Sequence, residues 1–543
     1  MRSLNKKSEQ ECLRDSHFYN GLFCLFKLLL YVLPLCLFLS YHPVIKLSES
    51  ETMYFELSVA EIWLVVFDAV AVAEMVRQKK LFDGLRQRRW WMWLLFPMWV
   101  TLSVVWSLNM VRGALTAGMM WLVILAGYAM WVLKDELDAR FREVWWKWFF
   151  GAALLVCGWC VVQCVLDLAG VGQDYSLMCD GCTYRMFGFP HPNGFAIEPQ
   201  FMGNLLLAPA IAAAWLCLKK QNSKKSERSR SRGVVSTTAK SDSAWYCSTS
   251  SSSVAVVETT TGSLFLCSNF LLFCFFIITA TLFLTFSRGA IYAFMVGMLF
   301  MSGFMVFGAK KRARSGLWKR MGLTWGAVVL AFVMALNLQG LMAEVGPTDD
   351  TYFDGVAKVV NHLSLGMIDL KSDDVAREVE KNENTEGELV EDRFEVVEKP
   401  VENLEENSGT EEAVFDGYVA ESTDTRVRLS GAAVSVWSQN PRNVLLGVGL
   451  GGAGQALYNN GLSPAPREIV QNEYVSLLLE TGLIGAFLFI LLLSIIVKVI
   501  WKRAFKEMIL GLLVAYGVSM MFFSGLPNAL QVYLFSLVLV FFI

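Results

Sequence analysis

The chain has 543 residues, 55% of them hydrophobic, with a mean hydropathy of +0.45 and a formal net charge of −2. That apolar content excludes an ordinary soluble multidomain protein, and apolar runs of about 20 residues, long enough to cross a hydrocarbon core, recur along the chain. The near-zero net charge hides a segregation: basic residues crowd short connections and acidic residues crowd one long one.

In chain order the pattern predicts about twelve membrane helices, centred on 21–41, 57–76, 91–107, 112–133, 146–168, 194–217, 264–285, 289–309, 321–341, 474–498, 507–524 and 529–543. The first twenty residues are polar and charged, and no small-residue cleavage site follows the first run, so that run is expected to stay as a helix. Lys and Arg concentrate after the second, fourth, sixth, eighth and tenth spans, for example Arg86, Arg88 and Arg89, then Lys310, Lys311 and Arg312. The positive-inside rule then puts both termini in the cytoplasm of a multi-pass protein of the cytoplasmic (inner) membrane. Trp90-Trp91 and Trp145-Trp146 sit at span ends, where aromatic side chains anchor at the interface.

The expected division is 1–217 for helices one to six, 218–263 for a disordered basic, Ser-rich cytoplasmic loop, and 264–341 for helices seven to nine. A large extracytoplasmic loop with an acidic spacer follows over 342–472, between spans nine and ten, and 473–543 holds the last three helices. The Ser-Arg run in the basic loop needs no nucleic acid, since a polybasic segment beside anionic membrane lipids accounts for it. Within the large loop, 356–370 reads as an amphipathic helix lying on the membrane. Residues 425–437 read as a helix with Leu429, Ala432, Ala433 and Val436 on one side. Of the 12 cysteines, Cys157, Cys160 and Cys164 share one helix face and read as apolar packing. Cys179 and Cys182, in an outward loop, read as a local disulfide or free thiols rather than metal ligands, because a zinc site would need two more ligands.

Four polar groupings fall on the same side of the membrane. TYRMFGFPHPNGFAIEPQFMGN (183–204) opens the sixth span and carries Arg185, His191, Asn193 and Glu198. Pro190, Pro192 and Asn193 read as turn residues. TFSRGA (285–290) joins two apolar runs with almost no loop, which leaves Ser287 and Arg288 at the junction. Arg288 either snorkels to the surface or points into a shared interior, where its planar fork of donors suits phosphate. Arg426 and Arg428 close the acidic loop, and either can pair with nearby carboxylates. LLGVGLGGAG (445–454) precedes VQNEYVSLLLETGLIG (470–485). Its formal GxGxxG match has no βαβ context, and its glycines read as a tight turn or a close backbone approach. A Gln-Asn-Glu cluster opening an apolar helix is costly in lipid and so marks a functional place.

In the last segment Gln471-Asn472 is followed by nine residues and then Gly482-Leu483-Ile484-Gly485. This resembles the signature of the O-antigen ligase and polymerase superfamily, in which His followed by Asn, Ser or Gln precedes a Gly-x-x-Gly element by nine residues. TFSRGA resembles that family's Ser-Arg-Gly element, and FGFPHPNGFA its F-x-x-P-N segment. The resemblance covers roughly 183–485. It implies an all-α, GT-C-like polytopic membrane glycosyltransferase that works without metal or other cofactor. Its partners would be a polyprenyl (undecaprenyl) diphosphate-linked glycan donor, membrane lipids, and a glycan, lipid or protein acceptor. By the resemblance Arg288 holds the carrier diphosphate, Arg185 and Arg426 assist, and Arg428 substitutes for Arg426. Asn472, Gly482, Gly485 and Ser287 complete the signature. The family's His, the proposed base, is Gln471 here, and Gln cannot take a proton near neutral pH. Glu473, Glu198 and His362 are the candidate replacements; otherwise positioning and charge neutralisation suffice, or the chain is inactive. A transporter or lipid flippase, or a non-catalytic envelope-assembly partner, is the competing class. Glu61, Asp68 and Glu74 are the acids within spans that a transporter would use.

Overall fold

The computed structural model describes residues 21–39, 44–49, 54–83, 91–169, 190–196, 198–219, 268–309, 311–346, 351–364, 368, 411–466, 468–503 and 505–522. Arg185, Cys179, Cys182, the twelfth expected span, the acidic stretch 369–410 and all but the first two residues of the 218–263 loop lie outside them.

The chain opens with α1 (Gly21–Phe38). A hairpin of β1 (Val44–Glu49) and β2 (Tyr54–Ser58) follows, antiparallel, with Val44 opposite Ser58 and an irregularity between Lys46 and Ser48. This hairpin amends the expectation of a purely helical chain. It is built from short β-branched and aromatic runs that a scan for membrane spans passes over. Next come α2 (Val59–Arg77), α3 (Trp91–Ser103), α4 (Met110–Leu133), α5 (Ala139–Leu168), α6 (Pro199–Lys219), α7 (Ser268–Leu284), α8 (Arg288–Gly308) and α9 (Lys311–Val345). The segment before the tenth expected span forms α10 (Tyr352–Leu363), α11 (Glu411–Ser438), α12 (Pro441–Leu446) and α13 (Ala453–Asn459). The last described helices are α14 (Glu473–Ile500) and α15 (Lys506–Ser519).

Each of the first eleven expected spans coincides with a helix, and seven (α1, α4, α5, α6, α8, α9 and α14) are long and apolar enough to cross a membrane. This is the pattern of a polytopic membrane protein. α6 is the central helix, with 89% of its most apolar stretch buried, whereas only 11% of that stretch of α14 is buried. The Ala- and Gly-rich face of α6 permits that centrality. A Cβ on Gly203 would stand 2.7 Å from Ala290 of α8, and one on Gly297 of α8 would stand 2.7 Å from Ala515 of α15. Small residues let membrane helices approach closely and gain dispersion contacts. Ser519 of α15 also donates to Asn204 Oδ1 of α6 at 2.6 Å.

The three acids of α2 have separate fates. Glu61 and Ser58 form a reciprocal capping box at the hairpin exit, and Glu74 accepts from Arg77 and Gln78. Asp68 is 3% exposed, and neither of its oxygens has a hydrogen-bond partner. An unsatisfied buried carboxyl group costs about 1–3 kcal/mol. Asp68→Leu should therefore raise the midpoint of thermal unfolding in detergent; a fall would instead give Asp68 a working role in the membrane.

Candidate functional site

The turn between α7 and α8 is the first component. Phe286 adopts φ +53, unusual for a residue with a side chain. Ser287 caps α8 by accepting from the Ala290 N–H at 3.3 Å. Arg288 is the first residue of α8 and is 7% exposed. It does not snorkel. Its charge adds to the positive end of the helix dipole, an arrangement that favours an anion.

Helix α10 closes over this turn. It starts at Tyr352 rather than Val356, because Thr351 and Asp354 form a capping box. Instead of lying only on a membrane surface it docks on α9: a Cβ on Gly355 would meet Ala343, and the Tyr352 hydroxyl donates to Asn337 Oδ1 at 2.7 Å. The Tyr292 hydroxyl of α8 bonds the Leu363 carbonyl. His362 is thereby buried, with Nε2 3.3 Å from the Phe286 carbonyl. A carbonyl only accepts, so this nitrogen carries the hydrogen. The Phe286 ring lies between two histidines, 5.0 Å from His191 and 6.3 Å from His362, centroid to centroid. Burial, followed by Arg288 and His191, drives the pKa of His362 down to about 3, with Arg426 adding to the effect and the Phe286 carbonyl opposing it. At neutral pH the ring is uncharged.

The loop before α6 contributes His191 and Glu198. Asn193 serves structure: Gln163 donates to Asn193 Oδ1 and the Gly194 carbonyl at 3.0 Å, and accepts from the Gly194 N–H at 2.9 Å. Glu198 is half-buried, and its carbonyl accepts from the first residues of α6, so it caps that helix rather than lying within it. Burial raises its carboxyl pKa, and Arg426 opposes the rise.

Arg426 comes from α11. Leu429, Ala433 and Val436 are its buried stripe, as their spacing predicts. Arg426 precedes Leu429 by three residues and shares that face, whereas Arg428 is exposed. The helix phase brings Arg426 inward and turns Arg428, the expected substitute, outward. Arg426 Nε donates to Gln471 Oε1 at 2.7 Å, and its Nη2 to Gln200 Oε1 at 3.2 Å. Gln200 Nε2 in turn donates to the Phe522 carbonyl at 2.7 Å. The sequence did not single out Gln200; its signal was a polar residue in the opening turn of an otherwise apolar, central helix. Asn472 caps α14 by accepting from the Tyr474 and Val475 N–H groups, and Glu473, half-buried, donates its N–H to Met520 O at 2.9 Å.

Gly482 breaks α14 at φ +65, ψ −171. The glycine-rich turn enters at this break: the Val448 and Gly449 N–H groups donate to Leu479 O and Glu480 O, each at 2.9 Å. Beyond it, Ser103 Oγ accepts from the Leu450 N–H at 3.1 Å and Ser107 Oγ donates to the Leu450 carbonyl at 2.7 Å. Trp99 Nε1 donates to Thr481 O at 3.1 Å, and a Cβ on Gly485 would stand 3.2 Å from Trp99. These glycines serve close backbone approach, as the sequence implied.

Arg288, Arg426, Gln471, His362 and the glycine pair thus belong to one framework, and residues 273–490, which contain them all, match the family model described as O-Antigen ligase. Over that stretch, 218 of its 543 residues, the chain is similar to the O-antigen ligase family. No curated protein and no solved structure matches the chain. The O-antigen ligase match leaves outside its limits Glu198 and Gln200, which the fold brings to Arg426.

Proposed function

We propose that the chain transfers a glycan from a polyprenyl (undecaprenyl) diphosphate carrier to an acceptor hydroxyl at the outer face of the cytoplasmic membrane. The observation that carries this reading is a buried arginine, Arg288, at the first residue of α8 beside the turn that bonds His362, with a second, Arg426, fixed by Gln471 and Gln200. The bond from the anomeric carbon to the diphosphate breaks with charge developing on the departing oxygen, and fixed guanidinium groups stabilise that charge. Gln471 takes no proton; its carbonyl orients Arg426. Glu198 receives the acceptor hydroxyl's proton, since its burial favours a proton-accepting carboxylate of raised basicity. Glu473 is the alternative base. Its backbone is tied to Met520, and its carboxylate lies at the first residue of α14.

The test is a transfer assay with purified chain, donor and acceptor over a range of pH. Because the base must be ionised, kcat at saturating donor should climb with pH through the Glu198 titration and level off above it. Glu198→Gln should lower kcat about 10²- to 10⁴-fold and remove that acidic limb. A Glu473→Gln variant that loses transfer while Glu198→Gln retains it would move the base to α14.

A further inference from the structure

His362 has no task in that chemistry, yet it is docked on the turn that starts α8. Its Nε2 lies 3.3 Å from the carbonyl of Phe286, two residues before the buried Arg288, and the Phe286 ring packs against His191 as well; Arg288, His191 and Arg426 all act on its charge. On its own helix Lys358 lies one turn earlier, and α9 packs Gly340 and Ala343 against Tyr352 and Gly355 of α10, with Glu344 exposed. The imidazole is uncharged first because it is buried away from water and second because Arg288 and His191 repel a further positive charge. A bound diphosphate reverses the sign of the local field. Docking of α10 and the bond to the Phe286 carbonyl keep the ring in place, so it need not move to respond.

We propose that His362 is a third ligand of the donor diphosphate, taking up one proton from solvent as the diphosphate binds and releasing it when the diphosphate leaves. This rests on the diphosphate-binding reading above. The balance is simple: the empty site holds neutral imidazole with its hydrogen on Nε2, and in the loaded site a solvent proton forms an Nδ1–H bond that is lost again when the diphosphate leaves. It makes donor binding and proton uptake reciprocal. Where only the loaded site is protonated, affinity tightens about tenfold for each pH unit of acidification below the loaded-state titration point. Donor capture then favours lower pH while Glu198 favours higher pH, so kcat/KM is bell-shaped, with His362 setting the alkaline limb.

The chain contains four histidines, at 17, 42, 191 and 362. Full-length protein labelled with 13C at histidine Cε1 allows each ring's charge to be read by NMR. His17→Gln, His42→Gln and His191→Gln assign the signals, leaving His362 by elimination even if its own variant does not fold. Farnesyl diphosphate, a short polyprenyl diphosphate, serves as the probe. At pH 6 the His362 signal should be that of neutral imidazole in the empty protein and of imidazolium at saturation. A ring still neutral with probe bound overturns the proposal. In parallel, His362→Gln should flatten the pH dependence of probe affinity relative to wild type, the probe's own titration being common to both. A pH-independent loss would reduce His362 to a structural part and also overturn the proposal. Probe that fails to bind wild type, or binds Arg288→Ala equally well, defeats the diphosphate reading itself. Probe bound through Arg288 without protonation of His362 defeats this inference alone.

Discussion

Arg288→Ala should reduce glycan transfer about a thousandfold or more while leaving the amount of protein in the membrane near normal. Removing one preorganised donor from a developing anion costs about 10²–10³ in rate, and arginines that act on phosphoryl groups contribute about 10³–10⁵. Arg288 belongs at the upper part of that range because it is 7% exposed, so water does not screen its charge or replace it. Arg288→Lys keeps the charge but loses the planar fork, and it should recover only a minor part of the activity. Deleting Arg288 also removes a cation beside His362, so the imidazole pKa in the empty site should climb from its depressed position. A transfer assay with membrane level measured alongside decides the matter; wild-type rates in Arg288→Ala would remove the diphosphate role.

Gly482→Ala should be the most damaging of the subtle substitutions. At φ +65 and ψ −171 the backbone is in a region that residues with side chains avoid, and a Cβ there would overlap the Leu445 carbonyl. Gly447, on the facing strand of chain, is in the mirror situation at φ +75 and ψ −177, its Cβ position overlapping the Glu480–Thr481 peptide. Neither backbone can withdraw without opening the hydrogen bonds of Val448 and Gly449. The loss should exceed about 3 kcal/mol, enough to remove most folded protein. Gly431→Ala on α11 is the control: nothing lies within 4 Å of its Cβ position, and a helical Ala there should be neutral or stabilise by up to about 1 kcal/mol. Comparing the yield and melting temperature of monodisperse protein separates the two. Equal behaviour would show that the turn does not enter the break in α14.

Particular residues show what could be read from sequence and what could not. The helices were legible because hydrocarbon thickness imposes a length on apolar runs, and eleven described helices fall where those runs lie. Arg288 was legible because a charge between two apolar runs is costly wherever it sits. The break at Gly482 was not legible as a break, since Glu480 and Thr481 interrupt the apolar run only briefly and it resumes at Leu483. The choice between Arg426 and Arg428 was already contained in the stripe Leu429, Ala433, Val436, which fixes the helix phase; a list of basic residues ignores phase. The partnership of Arg426 with Gln200 lies 226 residues apart in sequence, and no local pattern encodes so distant a contact. The burial of His362 depended on α10 turning onto α9, which follows from the small residues Gly340, Ala343 and Gly355 on two different segments.

The Leu450 peptide, held on both sides by hydroxyls more than three hundred positions upstream, bears on where the boundaries of the folding unit lie. A truncated version reduced to 273–490 would strand that amide and carbonyl in an apolar setting and would forfeit the carboxylate assigned to accept the proton. The segment that matches the family is therefore only part of the unit that must fold together. Any chimera exchanging it between relatives must carry the matching Ser103–Ser107 corner along with it.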